Sequence, residues 1–503
     1  MSAVSAPPRS RWVALATLSL AVLLIAVDAT VLGLAVPFLA EDLRPSATEL
    51  LWIGDVYSFV LAGLLITMGG LGDRIGRKRL LLIGAAVFGA VSVLAAFAPS
   101  AGTLIAARAL LGVAGATLMP STLSIIRNLF TDARERTMAI GVWGSMGSAG
   151  MAIGPLVGGV LLEHFWWGSV FLINVPVMLV LIAVGAVTLP ESRDPSPGPW
   201  DLPGAALSTV GVIGVVYAVK ELAAGGGLLA VVVAGVVGVL GLGAFVRRQL
   251  RLPVPLVDVR LFGRRRFSGA VITDALAMFG LSGLAFFISQ FLQLVQGLGP
   301  LEAGLRELPL VAGAVVGGLL AGVLAARWTA RPVVVLGQAA MGLALAAVLL
   351  LRADTGFLPI GVVLAVAGLG AGAAFTLTAD IVLASVPKEK AGAASGVAET
   401  AYELGTALGI ALLGSVITAW YRAGIGLPAG VPEPALASAR DSLGGAHAVA
   451  GTLPPEVGGP LLRAAREAFV DGLGAASGFA AVLLFAAAGA AWLMLREPAR
   501  RPR

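Results

Sequence analysis

The chain contains no cysteine, which excludes disulfides, thiolate metal sites and cysteine nucleophiles. Histidine is almost as scarce: His164 and His447 are the only two, so a histidine-based metal cluster is excluded as well. No G-x-x-x-x-G-K-[ST] loop occurs, which argues against ATP coupling. Charge is the third scarcity. Only 12% of the 503 residues are Asp, Glu, Lys or Arg, where soluble domains carry about 25%. With 58% hydrophobic residues and a mean hydropathy of +0.96, this is the composition of a polytopic membrane protein.

Fourteen apolar runs are long enough to cross a bilayer. They fall near 12–38, 50–70, 79–99, 103–127, 137–162, 168–189, 203–220, 226–246, 267–294, 303–326, 332–351, 358–385, 391–420 and 468–495. The opening MSAVSAPPRSR leads straight into the first run without a small-residue cleavage pattern, so that span is expected to be retained. An even number of spans puts both termini on one face. Of the 34 Lys and Arg residues, 25 fall on that face and 8 on the other, with Arg108 inside a span. By the positive-inside rule the richer face, with both termini, is expected to be cytoplasmic. This topology accounts for the net charge of +6 and pI of 10.1 better than a nucleic-acid partner would.

The spans group as 6+2+6. The expected organisation is an all-α membrane protein with a six-helix bundle at 12–189 and a second at 267–495. Residues 190–266 hold a linker, two inserted helices and a basic cytoplasmic loop. Such a duplication is typical of transporters. A faint repeat supports it: GGLGDRIGRKR (69–79) follows span two, and GVLAARWTAR (322–331) follows the second span of the second half. The Pro-rich ESRDPSPGPWD (191–201) reads as a cytoplasmic linker. The arginine-rich 247–266 reads as a connection lying at the lipid headgroups. An unusually long outer loop, 421–467, carries two helix-compatible pieces split by a Gly/Pro break. Its expected role is a lid over the outer mouth, or else a flexible linker.

Several ionisable residues are stranded inside these apolar helices: Asp28, Arg108, Glu399 and Glu403. A charge at membrane depth costs roughly 2.5–3.5 kcal/mol on the lenient insertion scale, so each needs a partner, a proton or a wet cavity. From the helix rise, Asp28 lies about 24 Å from the inner start of span one, and Arg108 about 9 Å from the outer start of span four. Those levels nearly coincide, so the two are expected to pair, either as a static ion pair or as part of proton coupling. Glu399 and Glu403 stand one helical turn apart on one face of span thirteen. Two carboxylates so close in a low dielectric cannot both ionise cheaply. They suit a site that exchanges protons for a cation; the alternative for each is a plain hydrogen bond to a neighbouring helix.

Asp55 lies near the outer end of span two beside Trp52, Tyr57 and Phe59. An acid among aromatics suits a lipophilic cation; a helix cap is the alternative. Asp274 and Asp380 sit nearer the inner ends of spans nine and twelve, as gate-pairing residues or as interface acids. Trp143, Phe279, Phe286, Phe287, Phe291 and Phe375 are candidates to line a cavity, against simple packing.

GGLGDRIGRKR fits G-x-x-x-D-R-x-G-R-K through Gly69, Asp73, Arg74, Gly76, Arg77 and Lys78, and resembles the loop 2–3 signature of the major facilitator superfamily. GSAGMAIGPLVGG (147–159) carries Gly150, Gly154, Pro155, Gly158 and Gly159, and resembles the span-five motif of that superfamily's antiporters. VDATVLGLAVP (27–37), WWGSVFLINVP (166–176) and FLQLVQGLGPLEAGLRELP (291–309) resemble stretches of its fourteen-helix drug:proton antiporter branch. Within that branch the chain looks closest to QacA- and LfrA-type multidrug pumps, because WIGDVYSFVLA (52–62) and ETAYELG (399–405) read as their acidic positions. Gly168 and Ser169 replace a usual Arg and Trp, and Leu111 replaces a usual Gln beside the span-four arginine.

The resemblance covers about residues 12–495. It implies a major facilitator fold of two six-helix bundles plus two inserted helices, and proton-coupled export of lipophilic cations by alternating access. It implies no enzymatic activity and no cofactor beyond the coupling proton. The expected setting is a monomer in a bacterial cytoplasmic membrane. Asp28, Arg108, Glu399 and Glu403 would couple protons. Asp55, Tyr57, Trp143, Phe286, Phe287, Glu399 and Glu403 would bind substrate. Proton-coupled uptake of a nutrient or peptide is the alternative, opposed by the span-five motif; a non-transporting receptor or membrane enzyme would need an extra domain or a catalytic constellation, and the sequence offers neither.

Overall fold

The computed structural model describes residues 8–196, 199–223 and 226–496. The first unit comprises α1 (Pro8–Leu43), α2 (Ala47–Ile75), α3 (Arg77–Ala96), α4 (Ala101–Leu129), α5 (Ala133–His164), the short α6 (Ser169–Leu172) and α7 (Asn174–Thr188). Two inserted helices follow, α8 (Leu202–Ala223) and α9 (Leu228–Arg251). The second unit comprises α10 (Arg265–Gln290), α11 (Pro300–Trp328), α12 (Ala330–Ala347), α13 (Phe357–Ala384), α14 (Ala391–Gly424), α15 (Glu433–Asp441), α16 (Leu443–Ala450) and α17 (Pro455–Met494).

Among the described residues, thirteen helices are long and apolar enough to cross a bilayer, counting α6 and α7 as one. Helix α5 makes the fourteenth and bends by 42° between Met151 and Leu156. The bend spans the Gly154-Pro155 step, and proline is the usual cause of such a kink. The side chain of Pro155 itself lies outside the described residues.

Local chemistry sets the helix starts. Ser46 and Glu49 form a reciprocal capping box at α2, Ser100 caps α4 through the amide of Thr103, and Asp132 caps α5 through Arg134 and Glu135. Each cap satisfies amides that a helix leaves unpaired at its first turn. At the α2–α3 corner, Gly76 adopts φ 112°, a region costly for any residue with a Cβ.

Each six-helix unit encloses its own apolar core. Leu65, Phe88, Leu111 and Phe130 belong to the first, and Phe291, Met341, Leu364 and Leu484 to the second. The inserted pair packs glycine to glycine, with Gly214 against Gly238 and Gly211 against Gly241. Helix α8 lies against both α2 and α14, whereas α9 leaves Val239 and Leu240 exposed, as a lipid-facing helix would.

One expectation needs correction. The stretch 455–469 is not half of a separate hairpin, because it is the first part of α17, a continuous helix of 40 residues. Helices α15 and α16 rest on the ends of α14 and α17 and on the π-helical turn Phe291–Val295. Tyr421 donates to the carbonyl of Ala439 at 2.8 Å, and Leu443, Ala446 and Val449 join the second unit's core. The segment caps the second unit. The 191–201 linker is also more than a tether: the amide of Asp194 donates to the carbonyl of Asp73 at 2.6 Å, and the amide of Arg77 to that of Ser192 at 3.1 Å.

Candidate transport site

The polar centre of the first unit is built by five helices. Arg108 on α4 donates from Nη1 to Asp28 Oδ2 of α1 at 3.1 Å and from Nε to the carbonyl of Ile53 on α2 at 3.2 Å. Its guanidinium lies 4.7 Å from the Tyr57 ring centroid. Asn174 on α7 donates to the other Asp28 oxygen at 2.8 Å and to Ser92 Oγ of α3 at 3.1 Å. All five side chains, Asp28, Arg108, Tyr57, Ser92 and Asn174, are buried. Leu111 is wholly buried in the apolar core.

The second unit has the opposite electrostatics. Asp274 of α10 and Glu399 of α14 are both buried, and Glu403 follows one turn along α14 with part of its surface open. Asp274 accepts a hydrogen bond from Thr378 at 3.1 Å, and its Oδ2 is buried without a partner. Asp274 and Glu403 both act electrostatically on Glu399. Among the described residues none of these three acids forms an ion pair with a Lys or Arg. Asp274, expected as a gate-pairing or an interface acid, is buried inside the second unit.

An aromatic row bridges the two units beside these acids. Trp143 on α5 stacks on Phe375 of α13 at 6.1 Å, and Phe375 meets Tyr402 of α14 edge-on at 5.8 Å. Trp143 also donates to Thr122 at 3.1 Å. Of the other expected cavity aromatics, Phe279, Phe287 and Phe291 are buried in the second unit's core, while Phe286 is 46% exposed and touches Phe287 edge-on. That degree of exposure does not place Phe286 with the acids.

Toward the basic face, where α2 ends and α14 begins, the units are locked together. Asp73 accepts from the amides of Gly392 and Ala393 at 2.8 and 2.9 Å. Arg77 holds Asp73 at 2.6 Å and donates to the carbonyls of Lys388 and Glu389 at 2.7 and 2.9 Å. A free amide end of a helix is a natural seat for a carboxylate. Gly69 abuts the backbone of Gly392, so any side chain there would collide. Arg74 lies over the Trp200 ring, 5.9 Å from its centroid. A second lock joins α4 and α5 to α13: from α5, Arg136 pairs with Asp380 and Thr137 donates to the same carboxylate at 3.2 Å, and from α4, Arg127 donates to the carbonyl of Leu383 at 3.2 Å.

The glycines of span five serve a different contact. Gly150 faces the backbone of Leu23, Gly154 the hydroxyl of Thr30, and Gly158 the side chains of Val31 and Leu34, all on α1. Gly159 faces open space.

A sequence profile described as Major Facilitator Superfamily matches residues 18–410. The chain belongs to the major facilitator superfamily. A multidrug efflux pump of Mycolicibacterium smegmatis, LfrA, is 49% identical over 490 residues, covering 97% of each chain. The methyl viologen resistance protein SmvA of Salmonella typhimurium is 39% identical over 492 residues, covering 98% of this chain and 99% of its own. The human organic anion transporter MFSD10 has the same fold, with a TM-score of 0.63 at 16% identity, over 96% of this chain and 100% of its own. Enzymatic chemistry plays no part in the work of this transporter family.

Four polar residues at the centre of this major facilitator chain carry no role in the sequence reading. Asn174 is the one amide in α7, an otherwise apolar helix, and that isolation was its signal. Tyr402 lies between the two glutamates, where its ring bridges to Phe375. Glu307 is an acid within the apolar run of α11, and that placement marks it too. Lys220 near the end of α8 forms an ion pair with Asp55 on α2.

Proposed function

We propose that this protein is a proton-coupled multidrug antiporter that exports lipophilic cations by alternating access. The observation that carries the reading is the asymmetry between the two polar centres. In the first unit Asp28 is neutralised by Arg108. In the second, Asp274, Glu399 and Glu403 crowd together without an ion-pair partner among the described residues. Buried acids so placed need protons or a substrate cation to offset their charge. A cation entering beside Glu403 replaces protons, and protons arriving from the opposite side replace the cation.

The aromatic row of Trp143, Phe375 and Tyr402 gives such a cation a polarisable surface. The names of LfrA and SmvA, a multidrug efflux pump and a methyl viologen resistance protein, agree with cationic drugs as substrates. The basic face, with both termini, is cytoplasmic by the lysine and arginine distribution, and the membrane is the bacterial cytoplasmic one. The Asp73–Gly392 and Arg136–Asp380 contacts then close the cytoplasmic side, and alternating access requires both to part. The unit acts as a monomer.

Purified protein in liposomes tests this. With an imposed pH gradient, ethidium should move against its own gradient, with protons flowing the other way. Cation movement that ignores the pH gradient, or runs in the same direction as the protons, would overturn the reading.

A further inference from the structure

Lys220 lies near the end of α8, one of the two inserted helices, with its ammonium paired to Asp55 of α2. The same ammonium stands 4.9 Å from the centroid of the Phe59 ring. Three rings gather around this pair: Trp52 and Tyr217 stack at 6.4 Å, and Phe59 lies 6.1 Å from Trp52 and 6.0 Å from Tyr217. Trp52, Asp55 and Phe59 fall on one stripe of α2, while Tyr217 and Lys220 are three residues apart on α8, so the two stripes face each other. A carboxylate rimmed by aromatic rings is a recognition site for an organic cation. Here a side chain of the protein occupies it.

The position of α8 adds a second observation. It packs against α2 of the first unit and α14 of the second, with Val212 and Val216 meeting Phe59, Leu404 and Ala407. Glu403 is on that stretch of α14, and Lys220 acts electrostatically on it. The lysine stem is flexible, with three rotatable donors at its tip, and both partners of the ion pair keep about a third of their side-chain surface exposed, 30% for Lys220 and 37% for Asp55. The pair is open to exchange.

We propose that Lys220 is a tethered counter-ion: α8 supplies an ammonium that fills the Asp55 aromatic site until an organic cation displaces it. The inference rests on the cation-export reading for the class of ligand. Displacement selects for aromatic cations with delocalised charge, which gain from all three rings and lose little hydration. A small aliphatic cation such as tetramethylammonium covers too little ring surface to displace a tethered ammonium.

The test is equilibrium binding of tetraphenylphosphonium and tetramethylammonium to the full chain in lipid nanodiscs. Lys220→Gln should bind tetraphenylphosphonium about fivefold more tightly, the scale set by loss of one part-exposed ion pair, and should acquire measurable tetramethylammonium binding. Lys220→Arg should match the wild type, and Asp55→Asn with Lys220→Gln should lose the gain. Lys220→Met, which keeps an apolar stem, stands in if the Gln variant misfolds. Unchanged or weaker binding in the Gln or Met variant, a gain that survives removal of Asp55, or failure of both to fold would each overturn the tethered ion. If the wild type also exports tetraphenylphosphonium, the export reading survives any of these results. If no variant binds either cation and the wild type exports none, both readings fall.

Discussion

Asp73, at the end of α2, accepts hydrogen bonds from the first two free amides of α14, those of Gly392 and Ala393. One carboxylate thereby ties two six-helix units together across more than 300 residues of chain, with Arg77 bound to the same oxygen. Because Asp73 belongs to one unit and the amides to the other, this contact has to break whenever the units rock apart on that face.

The first prediction follows from that geometry. Asp73→Asn removes the charge from hydrogen bonds that each contribute about 1.5–3 kcal/mol, enough to shift a two-state equilibrium by tenfold or more. Since the chain has no cysteine, spin labels at Thr131→Cys and Ala384→Cys, both exposed on the basic face, need no prior cysteine removal. Their distance distribution should lengthen in the Asn variant. An unaltered distribution would remove Asp73 from control of closure.

The second concerns Asp28 and Glu403. Asp28→Asn and Glu403→Gln should each abolish pH-driven dye efflux in liposomes while protein still reaches the membrane. Their stabilities should differ. Asp28→Asn strands the buried Arg108 charge, a loss of about 3–5 kcal/mol, whereas Glu403 has no ion pair to lose. Thermal unfolding in detergent separates them, and efflux at the wild-type rate would exclude either residue from coupling.

Arg108 is the subject of the third. Its guanidinium spans Asp28 and the Ile53 carbonyl while lying over Tyr57. An ammonium is a point charge that lacks this planar fork, so Arg108→Lys should recover little transport and Arg108→Ala none. Full efflux in the Lys variant would show that charge alone matters there.

A fourth prediction lies outside the membrane spans. Burial would raise the Asp201 carboxyl, but hydrogen bonds from Arg248 at 2.6 Å, the Gly204 amide at 2.9 Å and Gln249 at 2.6 Å hold it below the ordinary carboxylate range. A carboxyl depressed by folding stabilises the fold above its unfolded pKa, and that contribution disappears as pH falls through the folded value. Asp201→Asn should therefore lower the melting temperature at neutral pH, with the difference from wild type vanishing in acid. A gap that persists at low pH would mean the charge is not the cause.

The fifth separates cap from lid. Residues 426–453 include α15 and α16, whose apolar side chains complete the core at the end of the second unit. Replacing them with a short Gly/Ser linker should lower the unfolding temperature while substrate is still released at temperatures where the protein remains folded. Normal stability with altered release would restore the gating role expected of this loop.

Residue order alone shows the solvent, the span count and the duplication. Long apolar runs have one physical use, and hydropathy depends on composition rather than on contacts. It also made the Asp28–Arg108 pairing predictable, because helix rise converts residue number into depth. Depth leaves the direction around the helix axis undetermined, and there the tertiary structure decided. It turned Asp274 toward Thr378 and Phe286 toward the exposed surface. It brought Asn174 to Asp28, Lys220 to Asp55, and Asp73 to the start of α14. Each of these partners comes from a different helix, far away in the chain. Which faces meet depends on how fourteen similar apolar cylinders pack, and with so little contrast between their faces, close glycine approaches and the few buried polar groups fix the arrangement.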